Sequence, residues 1–140
     1  MWMLLAAGSA VAAALVAIFG KIGLKEVDPT LATIIRGVIM AAILVVAGFA
    51  FGKFNGFDPS SWSGKAWFYI VLAALAGAAS WVLYFMALKE GPASAVAVID
   101  KMSVVIVIIA AALFLGEALT WKSALGVVLT VIGTVLIVFK

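Results

Sequence analysis

Ala95-Val96-Ala97-Val98-Ile99-Asp100-Lys101-Met102-Ser103-Val104-Val105-Ile106 sets an acid beside a base inside a run apolar enough to cross a bilayer. At a helix centre each such charge costs about 2.5–3.5 kcal/mol on insertion scales. The chain otherwise keeps its charges mainly in short loops, so a pair this deep is expected to have a use. Working outward, the apolar run covers residues 92–115 and is one of five. The others cover residues 2–23, 31–51, 66–88 and 123–139. A helix rising about 1.5 Å per residue needs about 20 residues to cross a hydrocarbon core of about 30 Å.

Composition supports that reading. Of 140 residues 68% are hydrophobic and 11% charged, against about 25% charged in a soluble domain. Too little polar surface remains to cover a water-soluble core. The predicted fold is all-α, an integral membrane protein with five transmembrane helices in one domain, residues 1–140. The chain has no histidine and no cysteine, which removes disulfides, thiolate chemistry, metal or haem sites built on those ligands, and a histidine proton relay. No cofactor and no metal are expected. The net charge of +3 is scattered among loops, so no basic patch for nucleic acid forms. No glycine-rich phosphate loop follows a strand and no catalytic triad can be assembled, so an enzyme is not expected.

The connections carry their own signals. No Lys or Arg precedes the first apolar run, which is also long for a signal core, so it is expected to be a retained span. Asp28-Pro29-Thr30 reads as a cap with proline in the first turn of the second helix. Residues 52–65 form the longest polar stretch, with Asn55-Gly56, Asp58-Pro59 and Ser60-Ser61 as turn signals. Trp62 and Trp67 flank its end, where indoles favour the headgroup level. Thr120 reads as an N-cap, Trp121 as an interface anchor, and Lys140 as a snorkelling terminus.

Five spans divide the loop charges between two faces. Lys53, Lys65 and Lys122 share the face of the N-terminus; Lys21, Lys25, Lys89 and Lys140 share the other, joined by Arg36 if it reaches back to its loop. Orientation follows the lysine and arginine bias, and here the bias is small, weakly favouring the C-terminus inside. On charge alone, a single orientation and insertion in both orientations stand side by side. The second would give an antiparallel dimer, reproducing what larger transporters build from inverted repeats.

Gly91-Pro92-Ala93-Ser94-Ala95 opening one span, Leu115-Gly116-Glu117-Ala118-Leu119-Thr120 closing it, and Gly126 to Gly133 in the next resemble an EamA-type domain of the drug/metabolite transporter superfamily. The resemblance covers essentially the whole chain. Most such proteins carry two five-helix repeats in inverted orientation and export metabolites; this chain resembles one repeat. The resemblance therefore implies a homodimer, antiparallel, that exports a small metabolite or drug-like compound by alternating access in the plasma (inner) membrane of a prokaryote. Family repeats often have a proline soon after the middle of the fourth helix, whereas Met102-Ser103-Val104 has none, so a break there is not implied. The related small multidrug resistance proteins use an acid in the first helix. No acid precedes Glu26 here, and their proton-for-cation exchange is not implied.

Candidate site residues follow from depth and spacing. Asp100 lies about 6 Å from the middle of its span, too deep to reach water through lipid. It is either a structural ion-pair member or a site alternately protonated and paired. Lys101 points about 100° away from it, so the two are expected to address different partners. Lys101 shares a stripe with Ala97 and Ser94, and Ser103 follows in the same polar stretch. Arg36, about 8 Å inside the second span, either snorkels or serves as counter-charge to Asp100. Arg36 and Lys101 against Asp100 leave one net positive charge, which suits an anionic or zwitterionic substrate. Trp81, Tyr84 and Phe85 recur at i, i+3 and i+4, either as packing or as a substrate wall. Glu117 is expected at an interface or gate, and Gly126, Thr130 and Gly133 form a ridge for helix or dimer packing. The expected partners are the lipid bilayer, a small-molecule substrate and a second copy. A scaffold subunit for another membrane protein and a small channel are the alternatives.

Overall fold

The computed structural model describes residues 1–139; Lys140, expected to snorkel and counted in the charge balance, lies outside the described residues. Helices α1 (Trp2–Gly23), α2 (Pro29–Ala50) and α3 (Gly64–Glu90) are followed by α4 (Ala93–Asp100), α5 (Met102–Phe114) and α6 (Trp121–Val138), with one 3₁₀ turn at Pro59–Ser61. Helices α4 and α5 together make the fourth apolar run, Ala93–Phe114, so five stretches are long and apolar enough to cross a membrane. The all-helical, five-span architecture is the one the sequence predicts. Large side chains such as Val46 and Leu136 stand more than two-thirds exposed, because lipid rather than protein solvates them.

Packing groups the chain into two compact units, Met1–Ile22 with Glu90–Lys140, and Gly23–Lys89. In the first, α6 packs against both α4 and α5, with Val96, Val105, Ala111 and Thr134 buried. Thr120 caps α6 by accepting the Ser123 N–H at 3.2 Å. Inside α6, Thr130 and Thr134 donate their hydroxyls to the carbonyls of Gly126 and Thr130, both at 2.8 Å. Each polar group is thus satisfied within its own helix, as a membrane span requires. At the end of α1, Lys21 Nζ donates to the Gly91 carbonyl at 2.8 Å.

In the second unit, Asp28 Oδ1 accepts the Leu31 N–H at 2.9 Å and Pro29 enters the first turn of α2, as the capping signal predicts. Helix α2 ends on Gly52 at φ +63°. The Lys53 N–H returns to Gly48 at 2.8 Å and the Gly52 N–H to Phe49 at 3.0 Å. That is a Schellman closure, which needs a residue tolerant of left-handed backbone after the helix. Leu24 and Leu88 are the most completely buried side chains of the protein. Beside Leu88, Lys89 Nζ donates to the carbonyl of Leu24, and to those of Lys25 and Val27 at 3.3 Å each. These are carbonyls that the end of α1 and the following turn leave without helical donors. A cation placed there satisfies them and meets the negative end of the helix dipole.

Replacing Lys89 with Met removes that donor while keeping most of the stem. The expected result is a loss of about 2 kcal/mol of unfolding free energy, the scale of a charge-assisted hydrogen bond. Denaturation in mixed detergent micelles measures it.

Candidate functional site: a charged pair at a helix break and a caged arginine

In the first unit the fourth span is interrupted at one residue. Lys101, at φ −67° and ψ −10°, lies between the end of α4 and the start of α5. Its N–H still reaches the Ala97 carbonyl at 3.3 Å, but its own carbonyl accepts from Val104, three residues on, at 3.0 Å. The backbone tightens there from the α toward the 3₁₀ pattern. No proline or glycine stands at this position, so the break arises without the feature that marks it in family repeats.

The pair at the break behaves differently from the expectation that it addresses two partners. Lys101 Nζ lies 3.5 Å from Asp100 Oδ2. The Cβ vectors diverge, but a four-carbon stem is long enough to fold its head back. Both side chains remain accessible, Asp100 by 37% and Lys101 by 57%, so the ion pair is not enclosed by the chain. Ser94 and Ser103 are exposed on α4 and α5. The ridge expected for close helix packing is open within the chain: a Cβ added at Gly126 or Gly133 meets nothing within 4 Å. The Thr130 hydroxyl between them is already spent on Gly126.

The second unit holds Arg36 in a cage. Its guanidinium carbon sits 4.2 Å from the centre of the Trp81 ring and 4.8 Å from that of Phe85. Its Nε–H points to Met40 Sδ at 3.4 Å. Tyr84 completes the wall, 6.1 Å from Phe85 between ring centres. The i, i+3, i+4 stripe is therefore the seat of Arg36, with Phe85 buried and Trp81 37% exposed. Ring faces attract the flat cation through their quadrupoles. They leave the in-plane N–H edge for an acceptor, and among the described residues of this unit no carboxylate takes it. Sequence reasoning missed Met40 as a partner, although it lies one helical turn from Arg36 on the same face, at i+4.

The model of the EamA-like transporter family matches residues 1–139, and the chain belongs to that family. A curated protein of Sinorhizobium sp., named as an uncharacterized transporter in the cobO 3′ region, is 40% identical over 136 residues. The match covers 97% of this chain and 95% of that protein. No solved structure matches. The protein is an integral membrane protein of transporter type.

The cage makes a quantitative expectation. Trp81→Leu is expected to cost about 1–2 kcal/mol of stability, and a double-mutant cycle with Arg36→Met to return a coupling of about 1 kcal/mol, the scale of a partly desolvated cation–π contact. Additive single and double variants in detergent unfolding would contradict the cage.

Proposed function

We propose that this protein exports a small anionic or zwitterionic metabolite by alternating access, as an antiparallel homodimer in the plasma (inner) membrane of a prokaryote. The single observation that carries the reading is Arg36, whose charge is held by ring faces while its N–H edge meets no carboxylate in its unit. A planar guanidinium offers parallel donors to a carboxylate or phosphate, and Trp81 and Tyr84 supply an apolar wall for the organic part of the solute. Asp100, Lys101, Ser94 and Ser103, on the fourth span, are a separate group of proposed substrate or coupling residues. The break at Lys101 supplies a place where the fourth span can bend, in the manner of interrupted helices that line transporter cavities.

Proton coupling is part of this proposal and is assigned to Asp100, whose carboxylate pairs with Lys101 at 3.5 Å, a lysine that a substrate anion would compete for. Transport rather than catalysis is the activity, and the second copy supplies the half of the cavity that one repeat lacks. Gly126 and Gly133, open within the chain, give a second copy room to approach closely.

A thermal-shift screen of purified protein against charged metabolites is expected to select anions or zwitterions, and Arg36→Gln to abolish the shift while Arg36→Lys weakens it. In proteoliposomes loaded with a hit, Asp100→Asn is expected to stop substrate-driven proton flux. Full flux in Asp100→Asn would remove the coupling scheme. Single cysteines at Asn55 and Lys140, labelled from each side of intact cells, are expected to react from both. One-sided reactivity at both positions would remove the antiparallel dimer.

A further inference from the structure

The connection between α2 and α3 is more ordered than its polar sequence suggests. Phe49 stacks on Phe54 at 4.7 Å between ring centres, Phe54 on Phe57 at 6.3 Å, Phe57 on Trp62 at 5.6 Å, and Trp62 on Trp67 at 5.3 Å. Five rings thus run without a gap from the last turn of one membrane helix to the first turn of the next. The ladder has fixed seats. Phe54 packs against Gly48, where an added Cβ would come within 2.5 Å of the ring edge. Trp67 Nε1 donates to the Pro59 carbonyl at 3.2 Å. Gly52 and Gly56, both at positive φ, turn the chain back on itself so that the rings can meet.

Each ring nevertheless stays partly bare: Phe54, Phe57, Trp62 and Trp67 are between 38% and 43% exposed. In water that leaves a continuous strip of aromatic surface uncovered. At the headgroup level the same strip is solvated on its apolar face and wet on its polar edge, the setting indoles prefer. Charge points the same way. Lys53 and Lys65 are exposed at the two ends of the segment. Its acid, Asp58, accepts from the Ser60 hydroxyl at 2.7 Å and the Ser60 N–H at 2.9 Å. Those bonds hold the Asp58 carboxyl below the usual carboxylate range, and Lys53 and Lys65 against Asp58 still leave one net positive charge.

We propose that residues 49–67 form an interfacial strap, with the Phe54–Trp67 rings seated in the headgroup layer and Lys53 and Lys65 holding anionic phospholipid. The partner is a lipid surface, whatever solute the protein carries. The strap is continuous with α2 and α3, whose apolar faces already define the bilayer, so its depth is set by helices that cannot move out of the membrane. Anionic headgroups then meet ammonium groups close to the surface, where each contributes a screened attraction.

The test uses the full-length chain in nanodiscs of phosphatidylcholine with and without phosphatidylglycerol. The sequence has no cysteine, so a nitroxide on Asn55→Cys reports on the strap alone. Power saturation is expected to place the label in the headgroup layer, relaxed by oxygen and by a water-soluble nickel chelate to comparable extents. Spin-labelled phosphatidylglycerol is expected to associate more strongly than its choline counterpart. Lys53→Gln with Lys65→Gln should reduce that selectivity by up to about fivefold per lysine, and Lys53→Arg with Lys65→Arg should retain it. A label relaxed chiefly by the nickel chelate would overturn the strap, and selectivity unchanged in the double glutamine variant would overturn its lipid partner.

Discussion

Carbonyl groups of Leu24, Lys25 and Val27, left bare where α1 ends and α2 has not begun, converge on the ammonium of Lys89. In a membrane protein the apolar effect does not drive helices together strongly, since lipid tails solvate side chains as well as other side chains do. What must be settled is the backbone at every place where a helix stops. Lys89 settles three carbonyls at once, directly beside the two best-buried side chains, Leu24 and Leu88. Lys21 does the same for Gly91. Each lysine near the end of one helix donates to the turn that follows another, 65 and 70 residues away. Lys89 holds the turn that leads into α2, and Lys21 the turn that leads into α4.

The same rule of local satisfaction shapes the candidate site. Threonine hydroxyls in α6 donate to carbonyls one turn back. Asp100 and Lys101 answer one another at 3.5 Å. Arg36 differs in that ring faces lie over its charge. Quadrupolar attraction stabilises a cation without neutralising it, which keeps the arginine in place and still able to take an anion. That combination joins positional order to a charge still available to an anion.

Much of this was legible in the residues. The spans follow from apolar length, the α2 and α6 caps from Asp28-Pro29 and Thr120, and the aromatic stripe, without its guest, from the i, i+3, i+4 spacing of Trp81, Tyr84 and Phe85. Three features were not. The break at Lys101 has no proline or glycine to announce it, and a ψ change at one residue leaves no compositional trace. The Asp100–Lys101 contact defeats an argument from Cβ directions, because a lysine stem is longer than the gap it must cross. The aromatic ladder escapes periodicity altogether, since Phe49, Phe54, Phe57, Trp62 and Trp67 meet through a Schellman closure and a 3₁₀ turn rather than along one helix face.

The lysine-to-carbonyl bonds also constrain how the orientation of such a chain can evolve. Lys21 and Lys89 act twice: as charges read while the helices are inserting, and as donors that close turns once they are in place. Selection cannot remove either to alter the charge balance between faces without loosening the fold. The freedom to drift lies with Lys25 and Lys122. A lineage that changes its orientation should therefore record the change there, while positions 21 and 89 stay basic whichever way the protein points.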